Sequence, residues 1–531
     1  MEFNLADLWE GVVDAVPDHE ALVCGPRRLT YAEADARVNR LAHALASRGI
    51  GPGDNVGLYL YNGTEYLEGM LAAYKIRAVP INVNYRYVAE ELRYLLDDSD
   101  AHAVVFHRTF APTLASVASS LPGLRTRLVV EDGSDADLTG LDAVDYDAAL
   151  ADASPTRDFG TRSADDLYIL YTGGTTGMPK GVMWRQEDIF FGAFGGGGID
   201  TPITTPDEIG ERARAGGLRC LPACPFMHGT AHWMAFLTLY GGGTVVISPD
   251  RSMDPTRVWE LVSAEHVSFL VIVGDAMGRP LVEALDSLPD GVDLSGLALL
   301  LSGGAILSPP VKQALAARLP HTILLDGFGS SEAGGQGQMA VGAADATSAQ
   351  PRFRVNAETM VLTADLTPAP VGVVGKLARR GHVPLGYYHD PEKSATTFPV
   401  VDGVRWSVPG DDARREEDGT ITVLGRGSVS INSGGEKVYP EEVEGALKAH
   451  PGVFDAVVVG VPDERWGERV VAVVEPRDGQ PVTLEDVAGE ARRHVAGYKV
   501  PRGLVLVDHI ERSPSGKPDY RWARRVARDA S

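Results

Sequence analysis

Short apolar runs recurring between amphipathic stretches constrain this chain more than any other feature. Val56-Gly57-Leu58-Tyr59-Leu60, Ala78 to Val83, Ala103-Val104-Val105-Phe106, Thr244-Val245-Val246-Ile247, Phe269 to Val273 and Leu297 to Leu301 each have the length of a strand. A strand exposed on one face alternates. A nearly continuous apolar run implies cover on both faces, as in a parallel sheet flanked by helices. The intervening stretches supply those helices. Over Tyr31 to Arg48, the residues Ala34, Val38, Leu41, Ala42 and Leu45 share one helical face, and Gly49-Ile50-Gly51-Pro52-Gly53-Asp54 ends it. A further helix is expected around Tyr66 to Lys75. Strand, helix, strand in succession predicts an α/β fold with right-handed crossovers.

At 531 residues the chain is too long for one small core. Near Gly425 its texture changes. Asp411 to Gly419 is polar and charged, and a short strand from Thr420 to Leu424 leads into Gly425-Arg426-Gly427-Ser428. The remainder carries its own small pattern: a helix from Pro440 to Ala449, strands at Ala456 to Val461 and Val470 to Val474, a helix over Leu484 to Val495, and a strand over Gly503 to Val507. The expectation is a large multi-subdomain α/β domain over residues 1–425 and a small mobile α+β domain over 426–531.

The formal net charge of -23 repels nucleic acid and anionic lipid at long range. It leaves room for phosphate-bearing small molecules, which backbone N–H groups and a few cations hold locally. With 3 Cys there is no disulfide framework, and a reducing cytoplasm is expected. The start Met1-Glu2-Phe3-Asn4 lacks a secretory pattern, and no apolar segment of about 20 residues predicts a membrane span.

The strongest local signal follows the apolar strand Leu167-Tyr168-Ile169-Leu170. It reads Tyr171-Thr172-Gly173-Gly174-Thr175-Thr176-Gly177-Met178-Pro179-Lys180-Gly181. Its glycines let several N–H groups point inward at phosphate oxygens, its threonines add donors, and Lys180 adds a cation. It is not the common nucleotide P-loop, which needs Gly-Lys-Ser/Thr; here Pro179 precedes the lysine and Gly181 follows it.

This segment resembles the signature of the adenylate-forming superfamily: acyl-CoA synthetases, adenylation domains of peptide synthetases, and beetle luciferase. Further segments resemble that family's motifs in the same order: Phe328-Gly329-Ser330-Ser331-Glu332, Trp406-Ser407-Val408-Pro409-Gly410-Asp411, Gly425-Arg426, Gly434-Gly435-Glu436-Lys437-Val438-Tyr439-Pro440-Glu441-Glu442-Val443-Glu444, and Ser513-Pro514-Ser515-Gly516-Lys517. Gly-His-Val-Pro-Leu-Gly-Tyr-Tyr at Gly381 to Tyr388 is most similar to bacterial fatty-acid-type acyl-CoA synthetases.

The resemblance implies an ATP-dependent ligase. A carboxylate attacks the α-phosphorus of ATP, pyrophosphate leaves, and the acyl-adenylate passes its acyl group to coenzyme A. It implies that Thr172 and Glu332 hold Mg2+ and that the Thr172–Gly177 loop with Lys180 cradles phosphate. Gly303, Gly304 and Ala305, with Asp326, Gly327, Phe328, Gly329, Ser330 and Ser331, are the implied adenine and acyl turns. Asp411 and Arg426 take the ribose, Lys517 bridges carboxylate and α-phosphate, and Gly434 and Gly435 let a pantetheine arm pass. Ser428 stands at the implied hinge, where the family often has Asp or Lys. Pro409 replaces a usual Thr, and Ser331 replaces another.

Cys220, Cys224, His228 and His232 are spaced four apart, but Pro222 and Pro225 forbid the regular helix that would converge them on a metal. Pro225-Phe226-Met227-His228-Gly229 instead resembles the segment that closes the carboxylate pocket, with His228 as its gate. Phe226, Met227 and Trp233 suggest an apolar wall. The partner is thus a small-molecule carboxylic acid, with the assembly open and a homodimer among the options. The alternative keeps the adenylating chemistry and changes acceptor or oxyanion: a carrier-protein thiol, or nitrite activated to diazotise an aromatic amine. A non-catalytic nucleotide sensor would have no use for Lys517 and Glu332.

Overall fold

The computed structural model describes residues 2–172, 178–198, 201–340, 352–426, 429–433, 436–463, 467–512 and 517–530, with the backbone alone at Arg426 and Lys437. The runs that lack alternation are strands covered on both faces. Phe269–Ile272 is fully buried and pairs in parallel with Arg219–Pro222 on one side and Leu299–Gly303 on the other. Leu299–Gly303 in turn pairs in parallel with Ile323–Ser330. Thr244–Ile247 and Glu20–Cys24 extend the parallel block the other way.

Beyond Ile323–Ser330 the sheet turns antiparallel through Gly334–Ala340, Arg352–Val355, Ile421–Arg426, Asp411–Arg415, Val374–Arg379 and Thr359–Leu362. Among the described residues this makes one 13-stranded sheet. A separate five-stranded sheet is parallel throughout and contains Asn55–Tyr59, Val79–Asn82 and Ala101–His107. Helix Tyr31–Ala46 buries the face predicted for it and starts with a capping box in which Thr30 and Glu33 satisfy each other's backbone N–H. A three-stranded antiparallel sheet joins Leu167–Thr172, Lys180–Arg185 and Gly386–Tyr387.

The last hundred or so residues build their own sheet. Its strand Val453–Asp463 alternates between two cores. Ala456 and Val458 face a cluster with Val443, Leu447 and Val487. Val457 and Val459 face another with Ile510, Tyr520 and Trp522. The second cluster rests on helix Tyr520–Asp529, which the sequence reading did not foresee. Among the described residues no helix is long and apolar enough to cross a membrane.

Candidate active site

Ligands of parallel α/β sheets gather beyond the carboxyl ends of the strands, where loops are free to vary. Here those ends bring together segments far apart in sequence. Parallel register sets Ser302 beside Asp326 and Gly303 beside Gly327. Gly304 follows with φ +82°, and a Cβ there would lie 2.9 Å from Thr230 Oγ1. Thr230 is in the first turn of helix Gly229–Tyr240, whose N-cap is His228. The adenine turn and the carboxylate gate expected from sequence therefore touch through Thr230 and Gly304. His228 is half-buried, and its N–H closes a turn onto the Pro225 carbonyl at 3.1 Å.

Glu332 lies in the tight turn between strands Ile323–Ser330 and Gly334–Ala340 and is 8% exposed. The Tyr387 hydroxyl donates to its Oε1 at 3.0 Å, and Ser407 Oγ donates to its carbonyl at 2.5 Å. Arg379 clamps the same turn from beneath by donating to the carbonyls of Gly192, Ala333 and Gly335. Burial pushes Arg379 down to about 10, so it remains a cation at neutral pH. Trp184 donates to the Ser331 carbonyl at 3.1 Å. Lys180 pairs with Asp390 and lies 5.7 Å from the centre of the Tyr387 ring. One tyrosine thus stands between the lysine of the phosphate segment and the carboxylate expected to take the metal. Sequence reading used Tyr387 only as a mark of resemblance.

Asp411 and Arg426 are 15 positions apart yet face each other in register across two antiparallel strands. Gly410, with φ +107°, lets the chain turn into Asp411. Thr172 ends its strand opposite Lys180. Asp326 offers the cleft only its backbone, because its carboxylate is buried against Lys312 at 2.5 Å. Burial pushes Asp326 up and Lys312 pulls the other way. Phe328 packs on Phe353, with ring centres 5.4 Å apart. Gly329 is required by closeness, since a Cβ there would meet the Gly334 carbonyl at 2.3 Å. The expected wall residues Phe226 and Met227 are 0% and 1% exposed, and Phe226 packs against Tyr66. Gly173, Gly174, Thr175, Thr176, Gly177, Ser428, Gly434, Gly435 and Ser513 to Gly516 lie outside the described residues.

The Cys220–His232 ladder is not one surface. Cys220 and Cys224 are buried, and burial raises both thiols. His232 is a buried, hydrogen-bonded histidine. Among the described residues no group of three or more His, Cys, Asp or Glu could hold a metal ion.

The small sheet sits against helix Gly274–Ala284. Lys448 Nζ lies 3.0 Å from Asp455 and 3.7 Å from Asp275, and Arg512 pairs with Asp455 at 2.5 Å. Burial works against Asp455's charge, yet Lys448 and Arg512 outweigh it and hold the carboxyl at about 2. Asp275 Oδ1 also accepts from Ser308 N at 2.7 Å, just past the Gly303–Ala305 turn. Arg512 forms an antiparallel bridge with Pro518, so the exposed Lys517 is next to a residue paired with a member of this charge cluster. Tyr439 donates to Asp412 Oδ2 at 3.0 Å, a second tie across the same junction.

This arrangement is matched by known families. Residues 9–388 match the model of the AMP-binding enzyme, and residues 442–517 match the AMP-binding enzyme C-terminal domain. The chain belongs to the AMP-binding enzyme family. It is 49% identical to a 3-oxocholest-4-en-26-oate–CoA ligase of Rhodococcus rhodochrous, covering 99% of this chain and 96% of that one. It is also 49% identical to a medium/long-chain-fatty-acid–CoA/3-oxocholest-4-en-26-oate–CoA ligase of Mycobacterium marinum, covering 98% and 96%. Among solved structures, ATP-bound MatB from Rhodopseudomonas palustris superposes with a TM-score of 0.84 at 25% identity, over 100% of both chains. The expected fold, a large domain followed by a small one, agrees with that neighbour, and the expected acid–thiol ligase class agrees with both relatives.

Proposed function

We propose that this AMP-binding enzyme activates a carboxylic acid with a long apolar body, a fatty acid or a sterol side-chain acid, as an acyl-adenylate and transfers the acyl group to coenzyme A. One observation carries the reading: parallel register sets the Gly303–Ala305 turn beside the Asp326–Glu332 segment at the carboxyl ends of two interior strands, and Thr230, just past the His228 N-cap, packs on Gly304. The substrate class follows the names of the relatives at 49% identity.

The residues present fit an ATP–Mg2+ pair. Ser330 Oγ is shielded from solvent and has no hydrogen-bond partner among the described residues, as suits an atom that faces a ligand. Glu332 is a preoriented carboxylate, and Mg2+ favours a carboxylate together with phosphate oxygens. Glu332 and Thr172 would hold the ion, which when bound neutralises phosphate charge. Asp411 accepts from the ribose hydroxyls, and Arg426 follows from the facing strand. The first turn of helix Gly229–Tyr240 favours negative charge, so the substrate carboxylate is received beside His228. Lys517 orients the two anionic reactants toward in-line attack. Coenzyme A then requires the small domain, residues 426–531, to turn about Ser428 so that Gly434 and Gly435 replace Lys517.

Pyrophosphate exchange across fatty, aromatic and sterol side-chain acids, with nitrite included, tests the reading. Exchange driven by nitrite alone, or by small aromatic acids alone, would remove it. Asp411→Ala is expected to weaken ATP binding, because charged hydrogen bonds of this kind contribute roughly 1.5–3 kcal/mol each. An unchanged ATP dissociation constant in calorimetry would take Asp411 out of the ribose site.

The Asp275–Lys448 contact predicts a bias between half-reactions. Asp275→Asn keeps the acceptor for Ser308 N–H and removes the charge that faces Lys448. A loss of about 1–2 kcal/mol shifts the orientation equilibrium by roughly 5–30-fold. Adenylation should slow by several-fold, while thioester formation from supplied adenylate should not. Equal slowing of both would mean that the contact does not select an orientation.

A further inference from the structure

The Cys224–His228 segment is held from three sides by side chains that the chemistry does not otherwise use. Asn62 accepts from Phe226 N–H at 2.8 Å and donates to the Cys224 carbonyl at 3.0 Å. Asn82 donates to the Met227 carbonyl at 2.8 Å. The same Asn82 exchanges two hydrogen bonds with the backbone of Tyr171, one residue before Thr172. His232 reaches back from the helix, with Nδ1 2.7 Å from the Phe226 carbonyl.

The tautomer of His232 follows from its neighbours. Burial pushes it down to about 4, so at neutral pH the ring carries a single N–H. The Phe226 carbonyl can only accept, so that proton is on Nδ1. Nε2 therefore accepts from the Tyr168 hydroxyl at 2.5 Å, and that hydroxyl accepts from Trp233 Nε1 at 2.9 Å. The Tyr168 hydroxyl thus both donates and accepts, and both ring nitrogens of His232 are paired. Trp233 closes it against Gly229, where a Cβ would lie 3.0 Å from the indole.

We propose that His232 is a positioning residue for carboxylate capture: with Asn62 and Asn82 it fixes the Phe226–His228 segment, and so sets where His228 and the helix start meet the incoming acid. Asn82 gives the same frame to the strand that enters the phosphate segment, so the acid and phosphate sides share one reference. The inference rests on the proposed reading that the Phe226–His228 segment and the helix start it leads into receive the acid. A core histidine kept only for packing would also pair both nitrogens; what marks this one is that Nδ1 is tied to the Phe226 carbonyl, inside the segment that ends in His228.

The test uses the full-length enzyme and a long-chain fatty acid in pyrophosphate exchange. Asn at position 232 can set an N–H where Nδ1–H lies, whereas Gln reaches toward the Nε2 position. His232→Gln is expected to raise the KM for the acid about tenfold or more, with the KM for ATP within about twofold, because small misplacements of a reacting group carry large costs. His232→Asn should stay within about threefold of the parent, although both variants lower Tm similarly through the lost ring volume. Equal losses in the two variants, no loss in His232→Gln, or an ATP KM that moves as far as the acid KM would overturn the proposal. His228→Ala separates the two ideas. Loss there with none in His232→Gln overturns the anchor and leaves the gate. Loss in His232→Gln with none in His228→Ala keeps the anchor and removes His228 from the site.

Discussion

Lys517→Ala is expected to slow adenylation by about 10²–10³-fold, the usual cost of removing a preorganised charge from a reacting centre. Thioester formation from supplied acyl-adenylate should stay within a few-fold of the parent. The reason is positional. Lys517 is exposed and precedes Pro518, which bridges to Arg512. Arg512 in turn connects through Asp455 and Lys448 to Asp275, beside the turn that follows Gly303–Ala305. On the proposed reading, the Lys517 cation serves the step in which two anionic groups must approach. It has no counterpart task when a thiol attacks an adenylate already formed. Pyrophosphate exchange and single-turnover thioester formation, measured on one preparation with an unchanged Tm, separate the steps. Equal loss in both would mean that Lys517 maintains structure rather than serving the first half-reaction.

The elements most legible in the sequence were those whose cover is local and complete. Phe269–Ile272 and Thr244–Ile247 read as strands because they are buried on both faces, leaving no polar position but the half-buried Thr244 to blur the run. Gly334–Ala340, spelled GGQGQMA, carries no such pattern, yet pairing with Ile323–Ser330 and Arg352–Val355 makes it a strand. Helix Tyr520–Asp529 was hidden because its buried face is small and set among arginines; Trp522, Ala523 and Ala527 are covered only when the far side of the small sheet exists. The same division holds at the site. Glu332, Asp411 and Lys517 stand in segments whose glycines and neighbours mark them locally. Asn62 and Asn82 act on backbone more than a hundred positions away, and Asp275 meets Lys448 only through docking. No local pattern carries such pairings, because register and packing decide them. His228 and His232 illustrate the point: a spacing of four would share one face of a continuous helix, but the prolines argued against that helix, and His228 is in fact its extended N-cap and half-buried, while His232, a turn inside, is in the core.

Glu332→Gln should be as severe as loss of Lys517, by a different route. The side chain is buried, and its Oε1 accepts from the Tyr387 hydroxyl at 3.0 Å. Glutamine keeps the shape and an oxygen to accept that hydrogen bond, and the backbone contact from Ser407 is untouched. What it removes is the negative charge, the property that a hard divalent cation needs from a protein ligand. Adenylation is therefore expected to fall by about 10²–10³-fold, with half-saturating Mg2+ raised by about tenfold or more. Tyr387→Phe makes the complementary change. It keeps the charge and removes the group that aims it, so its loss should be smaller and should leave the protein folded. Thioester formation from supplied adenylate expels no pyrophosphate, so Glu332→Gln should spare it. The decisive readout is the Mg2+ titration. If Glu332→Gln slowed adenylation while half-saturation stayed at the parental concentration, Glu332 would hold the turn between its two strands rather than the metal, and Thr172 and the phosphate oxygens would have to hold the ion without it.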